Sequence, residues 1–183
     1  MIDRPEELTT LVGETRTTIK GLRVEAGKIE EFARALSDDD PLYRDRAAAR
    51  VRGFPDAPAP LTFTRTGRFP RYRTDESIDL GFPHEHTLHG AQACEYERLP
   101  VVGDLLRGET TLVDVTERER KRGGAMTLAG SETVYLDEND ERLLAERATV
   151  IETDGAVAEE NDGSPIDEAV PSGPENVFVG VSD

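Results

Sequence analysis

Ile29, Phe32, Ala33 and Leu36 recur at the i, i+3, i+4, i+7 spacing of one face of an α-helix, with Lys28, Glu30, Glu31 and Arg34 on the other face. This spacing predicts an amphipathic helix over 25–36. Upstream, residues 5–11 predict one helical turn ended by Gly13. The β-branched run at 15–20 (TRTTIK) predicts a strand that Gly21 breaks, with a second short strand at 22–24. Residues 37–40 end the amphipathic helix, and Pro41 suits the first turn of a new one. The Ala-rich segment 45–51 predicts a short helix stopped by Gly53. Pro55, Pro58 and Pro60 exclude regular structure around them. Residues 61–68 read as a helix or an extended segment limited by Pro70, and 70–80 as a polar loop.

From Thr87 the pattern changes to that of strands: loose alternation over 87–98, a Pro- and Gly-containing turn at 99–104, strands at 105–118, 125–136 and 142–152, and turns at 120–124 and 137–141. Three or four strands at regular spacing predict an antiparallel meander. Helices early and strands late predict an α+β fold.

Length and composition set bounds on this picture. A chain of 183 residues fits one domain, placed at 1–152, followed by 153–183, which holds acids, Gly, Pro and Ser but no Lys or Arg and reads as a disordered acidic tail. With 36% hydrophobic and 5% aromatic residues the core is modest, so part of the apolar surface is expected to be buried against another chain. A net charge of −16 argues against nucleic acid or an anionic membrane as partner. Among the 22 basic residues only Lys20, Lys28 and Lys121 are lysine. An acid-rich, lysine-poor surface suits a protein kept in concentrated salt, where the Debye length falls to about 3 Å near 1 M and self-repulsion is screened. Cys94 is the single cysteine, which excludes an intrachain disulfide and a Cys-based metal cage. The acidic start MIDRPEELTT does not read as a signal peptide, and no apolar run has the length of a membrane helix, so a cytoplasmic location is expected.

The chemistry concentrates in 36–63, LSDDDPLYRDRAAARVRGFPDAPAPLTF. This stretch resembles the MaoC-like (R)-specific enoyl-thioester hydratases and dehydratases. Their signature runs approximately G-D-x-N-P-L-H-x-D, then an Ala-rich helix, a Gly-Phe and a Pro-rich turn. Here the frame reads Ser37-Asp38-Asp39-Asp40-Pro41-Leu42-Tyr43-Arg44-Asp45, followed by Ala47-Ala48-Ala49, Gly53-Phe54 and Ala59-Pro60-Leu61-Thr62-Phe63. A second block, Leu88-His89-Gly90-Ala91-Gln92 through Glu95-Tyr96-Glu97-Arg98 to Pro100 and Gly103-Asp104, is similar to the substrate-binding, non-catalytic type of subunit in heterodimeric members, also found as the N-terminal half of fused ones. The resemblance covers roughly 12–152.

It implies a single hot-dog fold, an antiparallel sheet wrapped around a helix. The activity it implies is addition of water across C2=C3 of a trans-2-enoyl thioester, or the reverse. One group takes a proton from water, another delivers one to C2, and an Asp–His pair orienting the water suits this near neutral pH. By position Asp38 matches the catalytic Asp, but Tyr43 occupies the catalytic His position and Asp40 stands where Asn is usual. A phenol with an ordinary pKa of about 10 is a poor base where imidazole, near 6.5, is a good one. The chain is therefore expected not to complete an Asp–His site alone, but to serve as the substrate-binding half of a dimer with a second MaoC-like hot-dog subunit. The alternatives are a self-sufficient homodimer using Asp38, Tyr43 and His89, and a non-enzymatic module that binds acyl thioesters. By the same resemblance Asp40, Pro41, Pro60, Thr62, Gly90 and Gln92 are candidate substrate contacts. No cofactor is implied, since the CoA or acyl carrier protein thioester is itself substrate.

His84 and His86 flank Glu85 in a polar loop and lack a third spaced ligand, so no metal site is expected. His89 reads either as a cleft residue or as a strand-end histidine bonded to backbone, and Cys94 as an inert small hydrophobe. The acidic run 38–40 reads equally as a helix cap. Arg44, Arg46, Arg50, Arg52 and the arginines of 65–73 are candidates for meeting CoA phosphates, with a solvated surface as the alternative.

Overall fold

A computed structural model describes residues 4–119 and 124–153. Five strands, β1 (Thr15–Arg23), β2 (Thr87–Tyr96), β3 (Leu105–Glu119), β4 (Ala125–Leu136) and β5 (Arg142–Thr153), form one antiparallel sheet in the order β1-β3-β4-β5-β2. Strands β3, β4 and β5 make the expected meander. Strand β2 does not join it in sequence order: it lies at the far edge, paired with β5 from Thr87↔Glu152 to Tyr96↔Leu144. Alternation along a strand says which face is buried and nothing about which neighbour it pairs with.

Gly21 does not break the first strand. It takes φ +70 inside β1, and the pairing with β3 slips on both sides of Ile19. The segments expected as two strands are one bent strand. The slip brings Ile19 and Leu22, which would face opposite ways in a regular strand, into the same core.

Three α-helices accompany the sheet: α1 (Arg4–Thr10), α2 (Ala26–Ala35) and α3 (Arg46–Val51). Short 3-10 helices occupy Pro41–Tyr43, Phe63–Arg68 and His84–His86. Ile29 and Ala33 of α2 are buried, and Phe32 meets Phe63 edge to ring at 5.6 Å between centroids. Leu22, Val24, Leu106, Tyr135, Leu143 and Leu144 supply the sheet side of this core. Gly67 lets the Phe63–Arg68 helix lie against β1: a Cβ there would come within 3.1 Å of Ile19 Cδ1.

The proline segment is more ordered than its composition implies. Ala57, Pro58 and Ala59 are buried, the Ala59 N–H donates to Pro100 O at 2.7 Å, and the Val102 N–H donates to Ala57 O at 3.0 Å. The antiparallel sheet with its packed helices is the hot-dog fold. The expected tail, apart from Thr153, and most of the 120–124 turn lie outside the described residues. Among the described residues no helix is long and apolar enough to cross a membrane.

Candidate functional site

The 36–63 stretch is built from local capping. At the end of α2, the Asp38 N–H donates to Ala33 O and the Ser37 N–H to Arg34 O, with Ser37 at φ +57. This is a Schellman closure with serine at the left-handed position that glycine usually takes. The Asp38 carboxylate accepts the Asp40 N–H at 3.1 Å, and the Asp40 carboxylate accepts the Leu42 N–H at 2.9 Å, capping the Pro41–Tyr43 turn. Asp45 caps α3 through the Ala47 N–H at 2.7 Å. A second Schellman closure ends α3, with Gly53 at φ +88 and the Phe54 N–H on Ala49 O.

Charge holds the same segment. Arg52 Nη1 lies 2.7 Å from Asp40 Oδ2 and, with the Leu42 N–H, holds that carboxyl below its ordinary range. Arg44 pairs with Asp39 at 3.5 Å, Arg46 with Asp56 at 3.0 Å, and Arg50 donates to Pro55 O at 3.4 Å. All four arginines of 44–52 are engaged in holding the loop.

Tyr43 is half-buried against the core, and burial, followed by the charges of Asp38 and Asp40, pushes its phenol above the ordinary value. It is therefore neutral near pH 7, able to donate a hydrogen bond and unfit to take a proton from water.

A second feature lies on the sheet. A cleft of about 380 Å³ opens between β1, β3, β4 and β5 and the 65–80 segment, with the start of β2 at its side. Its floor carries a hydroxyl ladder across three strands: Thr18 Oγ1 to Thr110 Oγ1 at 2.7 Å, and Thr110 Oγ1 to Thr133 Oγ1 at 2.9 Å. Arg65, Arg68, Arg73 and His89 also line it. Beneath Arg65 and Arg68 sits Glu146, only 3% exposed, which accepts the Thr64 hydroxyl at 3.2 Å and lies 3.7 Å and 3.9 Å from the two guanidiniums. Tyr135 closes this end, its hydroxyl directed at Thr64 O and its ionisation pushed up by burial.

His89 thus lines the cleft, whereas Asp38, Asp40, Pro41 and Tyr43 do not. Pro60 is buried, and Thr62 (φ +67) begins the Phe63–Arg68 helix with its N–H on the Tyr96 hydroxyl at 3.3 Å. Gly90 sits in the irregularity where β2 slips against β5, and a Cβ there would come within 2.8 Å of Ile151 Cδ1. Gln92 directs its amide at Cys94 Sγ, 3.9 Å away. Among the described residues no group of three or more His, Cys, Asp or Glu is placed to hold a metal ion.

Sequence reasoning missed Glu146 and the threonine ladder. Glu146 reads as one polar position in the alternation of β5, and only its burial sets it apart. The three threonines come from three strands and meet only once the register is fixed.

Comparison with known proteins agrees with this architecture. The family profile described as FAS1-like, dehydratase domain region, matches residues 10–146. A UPF0336 protein of Saccharopolyspora erythraea is 32% identical over 111 residues, covering 60% of this chain and 69% of the relative. A UPF0336 protein of Clavibacter michiganensis subsp. michiganensis is 35% identical over 125 residues, covering 68% and 80%. Among solved structures, a MaoC-like dehydratase superposes with a TM-score of 0.64 at 27% identity, covering 79% of this chain and 43% of that protein, so the present chain spans less than half of its length. The ChsH1-ChsH2 complex from Mycobacterium tuberculosis shares the fold, with a TM-score of 0.66 at 16% identity over 83% of this chain and 96% of the matched one. With the profile matched from 10 to 146 on a hot-dog sheet, the chain belongs to the FAS1-like, dehydratase domain region family, within the MaoC-like hot-dog proteins.

Proposed function

We propose that this chain is the substrate-binding half of an (R)-specific enoyl-CoA hydratase or 3-hydroxyacyl-thioester dehydratase, completed by a second hot-dog chain that carries the Asp–His pair. The observation that carries this reading is the neutral, half-buried phenol of Tyr43 where hydration needs a base. In hydration the water oxygen bonds to C3, a base takes a water proton, and C2 receives a proton; Tyr43 cannot fill the first of these roles near neutral pH. Asp38 is occupied in capping Asp40.

Pairing has a place on the molecule. Strand β2 bonds to β5 on one side only, and its other edge is unpaired among the described residues, with Leu88 43% exposed. An open edge is a template for another strand. His89, Gly90 and Gln92 lie on this strand, so a partner added there would put them at the junction. The solved relatives include HadBC and ChsH1-ChsH2, both complexes of unlike chains, and this supports a heterodimer. Asp40, Pro41, Pro60 and Thr62 would shape the wall that faces the thioester. The acid-rich, lysine-poor composition supports a salt-adapted protein.

The test is Tyr43→Phe in the assembled enzyme. Turnover of crotonyl-CoA is expected to stay within about threefold of the parent. A drop of ~10²-fold or more, the size that general acid–base catalysis contributes, would make Tyr43 a reacting group. The presence of His89 in the cleft keeps one alternative concrete. If the chain alone hydrates crotonyl-CoA and His89→Ala abolishes that, it is a self-sufficient homodimer.

A further inference from the structure

We propose that the sheet cleft recognises an acyl group that ends in a carboxylate, so that the natural thioester is the half-thioester of a short dicarboxylic acid. The inference rests on the reading of the chain as a binder of acyl thioesters.

The first support is a reversal of charge. The chain has 38 acidic and 22 basic residues, yet the described lining of the cleft holds three arginines and a histidine and no Asp or Glu. Nothing in the overall composition favours this. Arg73 has no carboxylate within ion-pair distance among the described residues. Arg65 and Arg68 share Glu146 at 3.7 Å and 3.9 Å, beyond hydrogen-bond reach. Both are partly exposed, with Glu146 buried. Three guanidiniums against one carboxylate leave a net positive cleft whose N–H forks are open to a ligand. Arg44, Arg46, Arg50 and Arg52 are by contrast engaged with the 36–63 loop.

The second support is the floor. Thr18, Thr110 and Thr133 carry three hydroxyl protons, and the two contacts between them use two. One O–H is left to donate to whatever fills the cleft. A purely aliphatic chain laid over these hydroxyls and arginines would desolvate them without pairing them, which costs free energy. An acyl group with a short apolar body and an anionic end satisfies both surfaces. Its methylenes meet Ile78, Leu80 and Leu88, and its carboxylate accepts from the arginine forks, the geometry guanidinium favours. About 380 Å³ lies at the small end of ligand pockets, which suits a short chain and not a whole coenzyme.

Calorimetry on the full chain tests this with glutaryl-CoA, valeryl-CoA and glutarate. The two thioesters share the coenzyme and chain length and differ only in carboxylate against methyl. Glutaryl-CoA is expected to bind at least about tenfold more tightly, the size of one charged hydrogen bond. Arg73→Gln, and separately Arg68→Gln, should remove most of that preference for glutaryl-CoA over valeryl-CoA. Equal affinities, tighter valeryl-CoA, or a preference that survives both substitutions would overturn the inference. If neither thioester binds but glutarate does, and Arg73→Gln abolishes it, the thioester reading fails and the carboxylate site stands. No binding by any of the three overturns both.

Discussion

At position 43 a phenol stands where the MaoC-like signature has an imidazole, and burial, followed by the charges of Asp38 and Asp40, raises its pKa. Tyr96 and Tyr135 are likewise pushed up by burial. The sign of the consequence is fixed. When folding raises a tyrosine pKa, the stability it contributes is complete below the unfolded value of about 10 and is lost as pH climbs through the folded value. Melting temperature is therefore expected to fall as pH rises above about 10, and Tyr135→Phe should blunt the fall. A parent and variant that decline in parallel would contradict this. Ser37 offers a second test at this scale. Its φ of +57 is costly for a residue with a Cβ, so Ser37→Gly should stabilise the chain by roughly 1 kcal/mol in urea unfolding. The Asp38–Asp40 run was readable from sequence both as a site and as a cap. In the structure both carboxylates accept backbone N–H groups, partners that no spacing reveals.

Among the elements, the helix of 26–35 was legible because Ile29 and Ala33 repeat at the helical period, and the Ala-rich helix because Asp45 and Gly53 bracket it. The course of β1 was not. A glycine mid-run signals a break and a bulge equally well, and only the pairing with β3 decides. Packing around Ile19 explains why the bend is kept. Gly67 approaches it from the Phe63–Arg68 helix, and Gly108 from β3, where a Cβ would lie 3.1 Å from Ile19 Cβ. Gly108→Ala is expected to cost about 1–3 kcal/mol by overpacking. Gly67→Ala should cost less once Ile19→Val removes the Cδ1 it meets, so the double variant should be more stable than the sum of the singles. Strict additivity in thermal or urea unfolding would show that Gly67 and Ile19 do not share this contact.

The molecule as a whole carries −16 on 183 residues, and most of the ion pairs that cross its surface use arginine. Repulsion on this scale weakens the compact state at low ionic strength and is screened by salt. Melting temperature is expected to rise between about 0.1 and 2 M KCl; a flat or falling curve would remove the salt-adapted reading. Fold class and family signature were legible because they reside in local pattern. The cleft was not, since its arginines, threonines and Glu146 converge from separate elements. The proposed function divides the labour between two chains. Crotonyl-CoA hydration, measured for this chain alone, for a hot-dog chain with an intact Asp–His motif alone, and for the two together, tests it most directly. Activity confined to the mixture, or raised there far above either chain, is the predicted result, and robust turnover by this chain alone would contradict it.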